Sequence, residues 1–197
     1  KVLIISASDI FGGAHKAAYR LHKALLDSDI DSQMLVQNKV SDEYQIIGPS
    51  SSFRKIVLNP LRPLFDYILM KINKIDTKFS SSFFPFSEII KQIDNIKPDL
   101  VHLHWITGGM LRIEDIAKIK YPLIWSLHDM WAFTGGCHYD NDCGLYRQNC
   151  GTCKMIPNKK RYDLSRIVFN RKKKTYKQIK NITFVATSHW LAKCAQD

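Results

Sequence analysis

Nowhere does this 197-residue sequence contain the roughly 18 to 20 consecutive uncharged apolar residues that a membrane-crossing helix needs. No charged leader with an apolar core precedes the first predicted strand either, so the sequence reads as neither membrane-spanning nor secreted. Internal repeats and low-complexity linkers are missing too. The Gly-x-Gly-x-x-Gly dinucleotide fingerprint is absent, and no Lys-Ser/Thr follows the first glycine pair as a phosphate-binding P-loop requires. Both absences speak against hydride transfer and nucleotide hydrolysis. Acidic residues are scarce, 18 Asp and Glu against 29 Lys and Arg, for a net charge of +11. Almost all of the excess lies in 154–180, where Asp163 is the single acid.

A chain of this length with 45% hydrophobic residues has material for one buried core, so residues 1–197 read as a single domain. Five cysteines without an export signal point to reduced thiols or metal ligands before disulfides. Four of them fall between Cys137 and Cys153.

The apolar run over 2–7 reads as a buried parallel strand. Gly12-Gly13 follows, then a helix with Ala14, Ala17, Ala18, Leu21 and Leu25 at helical spacing. Further strands are predicted over 32–37, 44–47, 99–104, 123–127 and 182–186. Helices are predicted over 64–75, 87–96, 114–119 and 164–179, the first with Phe65, Ile68, Leu69, Ile72 and Ile75 on its packing face. Strands alternating with helices imply an α/β fold with a doubly wound, mostly parallel, Rossmann-like sheet. Residues 129–163 form one long Cys-rich loop, a length that marks function or needs an internal staple.

In such a sheet ligands bind outside the carboxyl ends of the strands. Gly12-Gly13 would turn backbone N–H groups toward an anion such as a diphosphate, or would simply supply a tight turn needing positive φ. His128 leaves a strand end with Asp129 beside it to orient or charge-balance the imidazole; the alternative is a buried histidine capping the loop. His102 and His104 share a strand face, His104 beside Trp105 being the ligand candidate and His102 an interior residue. Cys137, Cys143, Cys150 and Cys153 have the spacing C-x5-C-x6-C-x2-C. They suit a structural zinc, with His138 as a replacement ligand, or else free thiols or disulfides. Four sulfurs leave no open position for a catalytic metal. The helix over 164–180 would project Arg171 to Lys174 outward as a solvated face, as a patch for anionic lipid, or, third, for nucleic acid.

Taken together, Gly12-Gly-Ala-His-Lys-Ala-Ala-Tyr-Arg-Leu21, Asp99-Leu-Val-His-Leu-His-Trp105, Trp125-Ser-Leu-His-Asp-Met-Trp-Ala-Phe-Thr-Gly-Gly-Cys-His-Tyr139 and Ala186-Thr-Ser-His-Trp-Leu-Ala192 carry a family likeness. The sequence resembles the N-terminal, acceptor-side domain of glycosyltransferase family 4, retaining enzymes of GT-B fold, in its polysaccharide-assembly branch. The resemblance implies that Gly12 and Gly13 approach the diphosphate of a nucleotide-sugar and that His128, with Asp129, contacts the transferred sugar. His104, Trp105, Thr134, Gly135 and Gly136 would help form the pocket for a glycan or lipid-linked acceptor. It further implies chemistry without a metal, at the cytoplasmic face of the membrane. The sequence stops at Asp197, before the donor-binding domain with the family's Glu-x7-Glu motif, so no transfer activity is expected of 1–197 alone. The competing reading is a non-enzymatic, zinc-stapled module for nucleic acid or anionic lipid.

Overall fold

The computed structural model describes residues 1–51, 53–84, 88–157 and 160–196. Ser87, where the predicted helix over 87–96 starts, Lys159, within the cationic segment 154–180, and Asp197 lie outside them. Six strands, β1 (Val2–Ser8), β2 (Ser32–Asn38), β3 (Ile46–Ile47), β4 (Leu100–Leu103), β5 (Leu123–Leu127) and β6 (Ile182–Ala186), form one sheet in the order β3-β2-β1-β4-β5-β6. Every pairing is parallel. The helices are α1 (Gly13–Asp27), α2 (Asn59–Ile72), α3 (Ile89–Ile96), the single turn α4 (Ile113–Ile116), α5 (Leu164–Tyr176) and α6 (His189–Gln196). This is the Rossmann-like arrangement expected from the alternation of elements, and its strand order reverses between β1 and β4.

Successive side chains of a strand point to opposite faces, and β1 shows this directly. Leu3, Ile5 and Ala7 enter the larger core, whereas Ile4 joins Ala18, Met34, Val36 and Ile46 beneath α1. Burying an aliphatic side chain contributes roughly 1.5–3 kcal/mol, so a strand buried on both faces anchors the fold. On α1 the inward residues are Ala18 and His22, while Ala17 is exposed. His22 is satisfied there by Ser32, Nδ1 to Oγ 2.8 Å.

Helix α2 departs most from expectation. Its inward residues are polar, Asn59, Arg62 and Asp66, and much of its apolar face is open: Phe65 is 40%, Ile68 46% and Ile72 71% exposed. Of the residues expected to pack, Leu69 and, beyond the helix, Ile75 do so, joined by Met70. The cause is position. α2 crosses the carboxyl rim of the sheet, where backbone groups need partners. Asn59 Nδ2 donates to Gln37 O, Arg62 Nη1 to Gln37 Oε1 and Gly109 O, and Asp66 accepts from Ser81 N and Oγ. Periodicity located the helix but could not tell which face those groups would claim.

Helix α5 also differs. Lys173 and Lys174 project outward, but Arg171 is spent on Glu114 and on the Ser81 and Ser82 carbonyls. Lys172 is 2% exposed and donates to Trp131 O and Thr134 O. Asp163 caps the helix by accepting from Arg166 N.

Gly108 and Gly109 follow β4 with φ of +68° and +77°. An added Cβ on Gly108 would meet only the Trp105 ring, at 3.6 Å, whereas one on Gly109 would lie 3.0 Å from the Arg62 carbonyl. Gly108→Ala is therefore expected to cost about 1–2 kcal/mol for the left-handed backbone alone, and Gly109→Ala a further 1–3 kcal/mol or so from the clash. Urea unfolding of both variants checks this, and equal losses would contradict the packing account.

Candidate functional site

The carboxyl ends of β1, β4 and β5 converge on one cluster. Backbone bonds from His104 N to Ile5 O (2.9 Å) and from Ala7 N to Trp105 O (2.8 Å) carry the β1–β4 pairing past the strand, so residues 104 and 105 sit on rigid backbone. Trp125 Nε1 also donates to His104 O. The β1 end is fixed by Asp9, fully buried, whose carboxylate accepts from Ile10, Val40 and Ser41 N–H. Burial alone would raise its pKa, but these bonds outweigh it and hold the carboxyl below its usual range. Gly12, at φ +97°, then opens α1, and no side-chain cap covers the N-terminus. Gly12 and Gly13 are both exposed, at a helix end suited to an anion.

Four imidazoles meet here. His102 and His104 have ring centroids 4.5 Å apart, and His104 Nδ1 shares a hydrogen bond with His128 Nε2 at 2.9 Å. His102 is half-buried and bonded to Ser126 at 2.9 Å, whereas His104, expected to be the ligand, is the more buried of the two. His15, in the first turn of α1, bonds Ser6 Oγ at 2.7 Å and meets the Trp105 ring edge-on. All four pKa values are lowered, mainly by burial. For His15 and His104 neighbouring cationic groups add to this, and for His102 the repulsion of His128 does. His15 and His102 fall to about 4 and His104 to about 3. At His128 burial also dominates, partly offset by Asp129. The cluster is neutral at neutral pH. Neutral imidazoles each offer one N–H and one lone pair, which suits sugar hydroxyls that both give and accept.

Asp129 does not orient His128, as adjacency suggested. Its carboxylate accepts from His138 Nδ1 (2.6 Å), Trp105 Nε1 (3.2 Å) and Trp131 N (2.9 Å). Burial pushes its pKa up, but the bond and charge of His138 with the other two donors prevail and hold it down. His138 is thereby committed. Its Nε2 bonds Ser80 Oγ at 3.0 Å, so it is not a spare metal ligand.

Trp105 is enclosed by His138, stacked at 5.7 Å, and by the exposed Lys78, whose Nζ lies 4.7 Å from the ring centroid. His104 and Trp105 border a cavity of about 10 Å³ that Thr107, His128 and Asp129 also line, room for little more than one water. His104 Nε2 and Thr107 Oγ1 have no partner there among the described residues. Thr134, Gly135 and Gly136 are buried below: Thr134 Oγ1 donates to Cys137 O, Gly135 backs onto Ser165, and Gly136 onto the Phe79 ring. A groove of about 380 Å³ beyond Leu127, between α5, β6 and α6, is mostly apolar. Sequence reasoning missed His15 and Lys78 as neighbours of the cluster. The place of His15, three residues after the first glycine, was the signal available.

Comparison with known proteins fits this arrangement. The glycosyl transferase 4-like family matches residues 57–156, half of the chain, and the chain belongs to that family. It is also similar to WcaC of Escherichia coli K12, provisionally named a colanic acid biosynthesis glycosyl transferase. The identity is 26% over 83 residues, covering 37% of this chain and 20% of the relative. The chain thus matches about a fifth of that relative's length. No solved structure matches it significantly.

Lowered histidine pKa values bear on stability. Unfolded imidazoles titrate near 6.5, the folded ones near 4 and 3. Between these values the unfolded state binds protons that the folded state refuses. Their contribution is complete above pH 6.5 and is lost as pH falls toward 4. Unfolding free energies measured by denaturant between pH 7 and 4 should decline accordingly, and His104→Gln should flatten the slope by about one proton; an unchanged slope would contradict the assignment.

Proposed function

We propose that this chain is the acceptor-side half of a retaining glycosyltransferase. It would move a sugar from a nucleotide-sugar to a glycan or lipid-linked acceptor in cell-surface polysaccharide synthesis. One observation carries the reading: neutral His104 and His128, hydrogen-bonded together beside Trp105, stand at the switch point of the sheet across from the open N-terminus of α1. In this scheme Gly12 and Gly13 lend backbone N–H groups to the diphosphate as negative charge develops on it. His128 binds the transferred sugar, and His104 and Trp105 bound the acceptor side. Asp129 holds Trp105 and His138 in place. Thr134, Gly135 and Gly136 support the pocket from below. No step assigned to these residues needs a metal.

Each of these elements belongs to one wall of a cleft, so a second, donor-binding domain completes it, and 1–197 alone should turn over no nucleotide-sugar. In the full-length enzyme, His128→Ala should lower kcat by about 10²–10³-fold. NMR of the product should show the anomeric configuration of the donor. An inverted product refutes the retaining assignment, and an unaltered kcat refutes the role of His128.

A lipid-linked acceptor needs a membrane surface. None of the helices among the described residues is long and apolar enough to cross one. Support for peripheral contact at the inner face comes from α2 more than from 159–180. Its open face presents Leu61, Leu64, Phe65, Ile68 and Ile72, with Ile56 exposed just before it, Lys71 in its last turn and Lys74 just beyond, and the one acid of 53–74, Asp66, points inward. An apolar stripe with cations and no exposed acid suits anionic lipid. Phe65→Glu with Ile68→Glu should abolish cosedimentation with phosphatidylglycerol–phosphatidylcholine vesicles, while Lys173→Ala with Lys174→Ala retains most of it. The reverse order would return the contact to α5.

A further inference from the structure

Every left-handed φ between residues 141 and 152 lies close to a cysteine. Asn141, Asp142, Gly144, Cys150, Gly151 and Thr152 have φ between +48° and +92°, and Asn149 has φ +156°. Strained backbone of this kind persists where its surroundings over-determine it, and beyond Phe133 the loop gives the core few large apolar side chains, Tyr146 and Ile156 with Met155 packed against them. What the loop does bring together is sulfur. Cys137, Cys143, Cys150 and Cys153 line one cavity of about 20 Å³, and all four are free thiols.

We propose that these four cysteines bind one zinc ion tetrahedrally, as a structural staple of the loop over 129–163. Zinc is favoured by an all-sulfur donor set, and a closed four-sulfur site leaves it no catalytic position. As they stand, no three ligating groups among the described residues are near enough to hold an ion. The thiols must turn toward the shared cavity, each about its single χ1 bond. Backbone N–H groups already serve two sulfurs, Gly135 donating to Cys150 and Met155 to Cys153, as outer donors do around metal thiolates. Binding converts Zn²⁺ and four thiols into a centre of net charge −2 and releases four protons to solvent. The buried Lys172 side chain is close enough to Cys137 and Cys150 to interact with their charge. It is tied to carbonyls, with no carboxylate in ion-pair range among the described residues. It stands where it can balance part of that charge.

The test begins with the unaltered full-length protein, so it does not depend on a variant folding. Elemental analysis should find about one zinc per chain. A mercurial thiol reagent should release it, read with a chelating dye, in step with four thiols titrated. Cys143→Ser, at one of the two half-buried positions of the four, should cut bound zinc to below about a fifth, whereas Cys194→Ser keeps it. Substoichiometric zinc, iron in its place, disulfides among the four cysteines in a non-reduced digest, or equal loss in Cys194→Ser would each overturn the proposal.

Discussion

The carboxylate of Asp129 ties the site together. It sits just past β5 and receives donors from three separate stretches of chain: the Trp131 N–H of its own turn, the Trp105 indole at the end of β4, and His138 in the Cys-rich loop. Bonds to a charged acceptor are each worth roughly 1.5–3 kcal/mol, and removing the acceptor strands buried donors at similar cost. The geometry that follows is inherited. Trp105, once fixed, sets the place of His15 against its edge and of His138 against its face. The chain direction of β5 then puts His128 beside His104.

From His138 the connections run outward. Its Nε2 meets Ser80, whose neighbour Ser81 is held by Asp66 on α2. The bridge between Phe79 and Cys137 zips the same segment to the Cys-rich loop, helped by bonds from Ser80 N to Gly136 O and His138 N to Lys78 O. The apolar outer face of α2, the site and the four cysteines therefore share one polar scaffold.

Much of this fold was legible in the sequence because its strands are short apolar runs, β1 buried on both faces and β6 keeping the same kind of run although Thr183, Phe184 and Val185 are exposed. The runs over 2–7, 123–127 and 182–186 matched β1, β5 and β6 to within a residue, and the residues singled out after β1, β4 and β5 lie together at one rim of the sheet. Legibility ended where a residue's partner is far away in the chain. Asp129 was paired with His128 by adjacency and does offset part of that imidazole's burial, but its hydrogen-bond partners lie 2, 9 and 24 positions away. The face of α2 was misjudged because Arg62 is claimed by the Gln37 side chain and the Gly109 carbonyl and Asp66 by the Ser81 N–H, which no local period records. Lys172, read as solvent-facing within a cationic run, is drawn inward by the carbonyls of Trp131 and Thr134.

Burial sets the charge of this whole rim, and it acts in opposite directions on different groups. It lowers His15 and His102 to about 4, His104 to about 3 and Lys172 to about 7, and it raises Cys137 to about 11 and Cys150 to about 12. For the imidazoles and thiols the neutral form wins because the charged one has lost water without gaining a sufficient partner, and Lys172 is left near its balance point. Asp9 and Asp129 are the exceptions. Asp9 is buried and Asp129 largely so, yet they stay ionised because several donors converge on each. The same rule states what each remaining part of the rim needs before it can carry charge. The imidazoles need an anion set against them, and the thiols need a cation among them.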